Sequence, residues 1–170
     1  MDMEITLPEA LSITKGRLFD KYIEKYSAAE VGREGEHIAQ QYLMQRGYTI
    51  RGINLRIQGV EVDIFARSNH DDRIHKEVCA GVCVDDSVQL GEHVLVEVKT
   101  RLCLDSDEKS VFPEIAVDKK KYKRYKKAAQ YFENTFDEIT SVRFDVISIQ
   151  ILSNNLAHVH HMIDAYNLDE

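Results

Sequence analysis

The sequence predicts an α/β fold in which a mixed β-sheet is flanked by helices. Three observations predict it. Two segments, Val60–Arg67 and Val94–Arg101, alternate apolar and polar residues with the period of a strand. Two others, Ser27–Arg46 and Val117–Phe132, repeat apolar residues at steps of three and four. A further pair of apolar runs, Arg143–Leu152 and Leu156–Ile163, closes the chain around a Ser153-Asn154-Asn155 turn. The predicted order is helix, strand, strand, strand, helix, strand, strand, which suits a sheet with helices on its faces.

Residues 1–28 are expected to form an N-terminal helical extension. Positions 1–14 read as a weakly ordered lead-in, and 15–26 place Leu18, Phe19, Tyr22 and Ile23 at helical spacing. Residues 29–170 then make one domain. In its first helix Ala28, Val31, Gly32, Gly35, Ile38, Ala39, Tyr42 and Leu43 share one arc, and Gly47 stops the helix. Tyr48–Asn54 follows as a strand. In the next strand Val60, Val62, Ile64 and Ala66 face one way, and Glu61, Asp63, Phe65 and Arg67 the other. Ser68–His93 reads as an inserted hairpin or loop with an apolar stretch at Val78–Val84. Val94, Val96 and Val98 then face the core, opposite Leu95, Glu97, Lys99 and Arg101. An acidic connection at 104–113 leads to the last helix, whose buried face is Tyr122, Tyr125, Ala128, Ala129 and Phe132.

Composition narrows the class. The chain has 170 residues, of which 44% are hydrophobic, enough for one domain with a real core. No run of 18 apolar residues is present to cross a bilayer, and no basic segment followed by an apolar one opens the chain. Three cysteines, Cys79, Cys83 and Cys103, are too few for a disulfide framework. A cytoplasmic protein with reduced thiols is expected. The net charge of −7 argues against an unspecific nucleic-acid coat. Yet Lys119, Lys120, Lys121, Lys123, Arg124, Lys126 and Lys127 put seven positive charges into nine residues. Such a run is a solvated helix face or a surface for a polyanion.

The chemistry centres on Glu97-Val98-Lys99. Residues two apart on a strand project from one face, so a carboxylate and an ammonium stand side by side. If the Val60–Arg67 strand pairs with this one, Asp63 comes close to Glu97. Two such carboxylates repel unless one is protonated or a cation lies between them. Mg²⁺ or Mn²⁺ would find oxygen ligands in Asp63, Glu97 and the Val98 carbonyl. Glu36, at the edge of the helical apolar arc, is a third acid, able to hold a water or a second ion. Metal, carboxylates and lysine together suit phosphodiester hydrolysis. The basic helix, with Arg56, Arg101 and Arg143, would hold the phosphate backbone.

An Asp followed by Glu-x-Lys, preceded by a helix bearing Glu, resembles the PD-(D/E)xK superfamily of restriction-endonuclease-like nucleases. More narrowly the chain is similar to the YraN-type family of predicted endonucleases. The matching segments run from Gly32–Glu36 with Ala39, Tyr42-Leu43 and Gly47-Tyr48, through Asn54-Leu55-Arg56 and Glu61–Ile64, to Val96–Arg101. They continue with Phe112-Pro113, Ala116-Val117 and Lys121, then Arg143–Val146 and Ile163–Tyr166. The resemblance implies a restriction-endonuclease-like core and places Glu36, Asp63, Glu97 and Lys99 at active-site positions. It departs at Val60, where the family usually has Gly, and in the length of the 68–93 insertion. The resemblance implies a Mg²⁺-dependent endonuclease acting on nucleic acid, DNA first. Cutting both strands in one encounter would suggest a homodimer, though no interface is legible in the sequence.

Milder readings stand beside these. Glu97 and Lys99 make an ordinary cross-strand ion pair on a solvated face. Glu61 is a surface acid or an accessory to Asp63. Asp145 pairs with Arg143 or a backbone amide for structure. Cys79 and Cys83, near His70, His75 and His93, have a zinc-like spacing but no second pair, and buried small residues fit better. His158, His160 and His161 read as satisfied strand histidines. A nucleic-acid-binding module without catalysis, or a protein-interaction adaptor, would use the same fold.

Overall fold

A computed structural model describes residues 2–6, 26–69, 91–103, 119–152 and 156–165. Among the described residues six strands form one sheet: β1 (Asp2–Thr6), β2 (Tyr48–Ile57), β3 (Val60–Ser68), β4 (His93–Cys103), β5 (Val142–Leu152) and β6 (Leu156–Met162). Their order is β1-β6-β5-β4-β3-β2. Only β4 and β5 run parallel. The parallel pair needs a crossover, and the helix α2 (Lys119–Thr135) lies between them in the chain. The helix α1 (Ala28–Gln45) precedes β2.

Local sequence explains the helix ends. Ser27 caps α1: its hydroxyl accepts from the Glu30 amide, and the Glu30 carboxylate accepts from the Ser27 amide. Gly47, at φ 82°, takes the left-handed turn that ends it. The arc of α1 then covers one sheet face. Ile38, Ala39, Tyr42 and Leu43 pack on Ile64, Ala66, Val94, Val96, Ile147 and Ile149. On the other face Tyr125, Ala128, Ala129 and Phe132 of α2 pack on Phe65, Leu95, Phe144 and Val146. The middle strands are therefore buried on both sides.

Contact between α1 and the sheet is tight at one point. A Cβ on Gly35 would fall 1.7 Å from Thr100 Oγ1, whereas one on Gly32 would meet nothing within 4 Å. Glycine at position 35 lets helix and strand approach.

The α1 side also holds a buried charge network. Asp145 takes a bidentate pair from Arg143, at 2.8 and 2.9 Å, a bond from His161 at 2.9 Å and the Asp164 amide at 2.9 Å. Arg143 further donates to Tyr48 Oη and Glu92. Burial opposes ionisation of Asp145, but His161 and Arg143 outweigh it and hold the carboxyl below its ordinary value.

Three expectations are corrected. Residues 2–6 are an edge strand on β6 rather than a weakly ordered lead-in. Main-chain hydrogen bonds recruit such a segment whatever its side chains. Val60 and Val62 do not share a core with Ile64 and Ala66: the first two pack with α2, the second two with α1. The β2–β3 hairpin changes face around Asp63, opposite which Asn54 sits at φ 49°. Arg143 is no phosphate contact, because it is only 4% exposed and committed to Asp145. The 15–26 helix up to residue 25, the connection at 104–113, and residues 70–90 with Cys79, Cys83, His70 and His75 lie outside the described residues.

Two stability predictions follow from this packing. Gly32→Ala gains up to about 1 kcal/mol from helix propensity, while Gly35→Ala loses about 1–3 kcal/mol through overpacking on Thr100; urea denaturation of both variants checks the contrast. Asp145→Asn leaves buried Arg143 without its counter-charge and costs about 3–5 kcal/mol. Since the folded pKa lies below the unfolded one, the Asp145 contribution is full above the unfolded value of 3.8 and is lost as pH falls through the folded value. The stability gap between parent and variant, measured by denaturation at stepped pH, should shrink on acidification.

Candidate active site

The hydrogen-bonded ladder between β3 and β4 pairs Ile64 with Val96 and goes no further. Beyond it the strands part, and a side chain fills the place of the backbone bond. Asp63 Oδ2 accepts from the Val98 amide at 2.8 Å. One β3 carboxylate is thereby pinned to the Glu97-Val98-Lys99 segment.

Glu97 lies on the α2 side and is only 3% exposed. A buried carboxylate needs full compensation. Glu97 Oε2 accepts the Tyr125 hydroxyl at 2.7 Å. Glu97 Oε1 meets Lys99 Nζ at 2.8 Å and is also bonded by Lys121 Nζ. Lys121 and Tyr125 are four residues apart on α2, so both reach the same carboxylate from one helix face. A cavity of about 140 Å³ opens beside it, lined by Asp63, Glu97, Glu61, Lys121, Arg124 and Tyr125, with Val60.

Glu36 approaches from α1. Its Oε2 accepts Asn54 Nδ2 at 3.1 Å, and Asn54 stands opposite Asp63 across the β2–β3 hairpin. Glu36 is close enough for its charge to act on Asp63.

Electrostatics separate the two central acids. Burial, then the Glu97 charge, push Asp63 up to about 6, against the Val98 amide and Lys121. Burial also opposes the Glu97 charge, but the bonds from Lys121, Lys99 and Tyr125 hold that carboxyl below its ordinary value. Lys99 is raised: burial works against its charge, and Glu97 more than offsets it. Burial and the neighbouring carboxylates push the Tyr125 phenol upward, so it keeps its proton and donates it to Glu97. Near neutrality Glu97 is ionised, Lys99 is charged and Asp63 is within reach of a proton.

Of the residues singled out by sequence, Asp63, Glu97 and Lys99 come together directly, and Glu36 joins through Asn54. Val98 contributes its amide to Asp63. Lys121 belongs to the acid cluster as well as to the basic run. Tyr125 and Asn54 were not singled out for the site. The four-residue step from Lys121 to Tyr125 was legible, but it also fits a simple core position. Glu61 is exposed and 3.9 Å from exposed Arg56. Lys120, Lys123, Arg124 and Lys127 are exposed on α2, and Lys126 is half-buried. The side chain of Lys119 lies outside the described residues. Arg101 is half-buried, with no hydrogen-bond partner on its Nε. His93 stacks on Phe65, and His161 belongs to the Asp145 network.

Among the described residues, no three His, Cys, Asp or Glu side chains are arranged to hold a metal. The donor chemistry of Asp63 and Glu97 nonetheless suits a hard divalent cation, which needs one or two carboxylates and otherwise keeps water. Lys121 now supplies positive charge to both acids.

Residues 35–149 match the family described as Uncharacterised protein family UPF0102. The span contains Glu36, Asp63, Glu97, Lys99 and all of α2. A UPF0102 protein of Bacteroides thetaiotaomicron is 34% identical over 137 residues, covering 81% of this chain and 92% of the relative. UPF0102 proteins of Parabacteroides distasonis and Thermodesulfovibrio yellowstonii are each 31% identical over 81% of this chain, covering 92% and 96% of their own lengths.

The coupled acids make a titration prediction. Carboxyl ¹³C shifts should show Asp63 titrating near 6 and moving down in Glu97→Gln, which removes a like charge. A midpoint at the ordinary value of 3.8 would contradict the burial and repulsion described. The folded pKa is raised, so the Asp63 contribution to stability is full below 3.8 and is lost as pH rises through about 6. Asp63→Asn should therefore gain stability relative to the parent across that window.

Proposed function

The chain belongs to the uncharacterised protein family UPF0102, and on that premise we propose that it is a divalent-metal-dependent nuclease with a restriction-endonuclease-like core, hydrolysing phosphodiester bonds in DNA. One observation carries the reading. Asp63 and Glu97, from two strands that separate at that point, meet beside the Lys99 amine and beneath a cationic helix.

Asp63, Glu97 and the Val98 carbonyl would hold Mg²⁺ or Mn²⁺, and Glu36 would hold a water or a second ion. The bound ion supplies a Lewis acid and an acidified water. Lys99, 47% exposed at its side chain, is the amine able to reach a phosphate. It orients the attacking water and stabilises charge gathering on the phosphate oxygens. Tyr125 keeps Glu97 in place through its hydroxyl. Lys120, Lys123, Arg124 and Lys127, exposed on α2, would contact the nucleic-acid backbone, while Lys121 stays bonded to Glu97. Neutralising these contacts releases counterions, so binding is salt-dependent.

A second reading has a specific observation in its favour. Lys99 and Lys121 already satisfy one Glu97 oxygen. A site closed in this way suits a nucleic-acid-binding module of the same fold with little or no catalysis.

Incubating the protein with duplex, single-stranded and branched DNA and with RNA, in Mg²⁺ or Mn²⁺, separates the two. Cutting is expected, is abolished by a chelator, and falls by about 10²-fold or more in Asp63→Ala and Lys99→Ala. Cutting undiminished by both substitutions would sink the proposal. Salt-sensitive binding without cutting favours the second reading, and failure to bind even at low salt argues for a protein-interaction role.

A further inference from the structure

A second cavity, of about 380 Å³, lies on the same sheet face as the acid pair, towards the other end of α2. Tyr125 reaches the acids, and Phe132 reaches this cavity seven residues on, about 10 Å along the helix. Its floor is apolar, made by Leu55, Phe65, Phe132 and Ile139. Phe65 is held between two rings, Phe132 at 4.1 Å and His93 at 5.6 Å. Phe136, 40% exposed, follows Phe132 at 6.1 Å. Phe136 and His93 are thus the rings at the cavity with room to receive another.

The polar groups are few and differ in kind. Arg51 and Arg67 bring two positive charges and Glu138 one negative. Burial and the two arginines hold His93 below its ordinary value, so it stays neutral. One net positive charge remains, matching a single phosphodiester. Donors and a carboxylate acceptor stand together, as the edge of a heterocyclic base requires. Arg51 owes its place to an irregularity: the register of β2 against β3 shifts between Ile50 and Gly52. A bulge of this kind re-aims a side chain. Arg67 is steadied through its Nε by the Gly91 carbonyl at 3.3 Å.

We propose that this cavity binds one unpaired nucleobase with its adjoining phosphate, the ring lying against Phe136 and His93 and the phosphate between Arg51 and Arg67. Roughly 300 Å³ and upward is the size range of small-ligand sites, and aromatic stacking is how an unstacked base is usually held. The choice of a nucleic-acid strand as the source of that base rests on the nuclease reading. The cavity then selects substrates with an unpaired nucleotide near the scissile bond over continuous duplex.

Amide NMR shifts of the full chain test it, with deoxyadenosine and deoxythymidine monophosphates, inorganic phosphate and deoxyadenosine as separate probes. The nucleotides should shift Phe65, His93 and Phe136, and phosphate alone should not reproduce the pattern. Phe136→Ala and Arg51→Ala, both exposed positions, should each weaken the nucleotide about tenfold, in the range of a lost stacking partner, with Phe136→Tyr restoring it. Equal shifts with phosphate alone, no shifts, or full affinity in both variants would overturn the assignment. Nucleotide binding in a chain that cuts nothing would remove the nuclease reading and leave the pocket. Cutting of continuous duplex as fast as gapped DNA, with no nucleotide shifts, would do the reverse.

Discussion

A buried carboxylate must be surrounded by positive charge or donors, and Glu97 imposes that demand on everything near it. Central β4 carries it into the α2 layer, where water cannot serve it. Tyr125, Lys121 and Lys99 answer from two elements. The basic helix is therefore tied to the sheet by the same residue on which the proposed chemistry rests. Asp63, next to this settled charge, is left with the burial cost and the repulsion, and its proton affinity rises.

The sheet divides two kinds of buried charge. On the α1 side Asp145, Arg143, His161 and Tyr48 form a closed set with matched partners. Nothing in that set has a vacancy for a ligand, and its work is to fix the ends of β5 and β6. On the α2 side the set around Glu97 borders a cavity, and Lys99 stands half in solvent. The two groups thus differ in setting: one is sealed within the sheet's core, and the other borders a cavity.

Strand β2 does more than cover an edge. Asn54, in the left-handed region, turns the hairpin opposite Asp63 and bonds to Glu36. The register shift near Arg51 brings a cation to the aromatic cavity. Two local departures from regular strand geometry place side chains at two sites on one strand.

The helices, their apolar arcs and most strand limits were legible in the sequence, since three-, four- and two-residue periods come from backbone geometry that every segment carries within itself. The Glu97-Val98-Lys99 alternation and the edge position of Glu36 were legible for the same reason. Tertiary structure alone decided that β3 and β4 part after Ile64, that the Asp63 carboxylate takes the Val98 amide, and that Tyr125 and Lys121 belong to Glu97 rather than to core and solvent. The Arg143–Asp145 pair was legible from the two-residue step, but tertiary structure alone buried it on the far side of the sheet with His161, and moved Val60 and Val62 to the α2 core. Such outcomes depend on which strands pair, in what register and where the pairing stops, and those are contacts between segments distant in the chain, set by the burial of charge and apolar surface together.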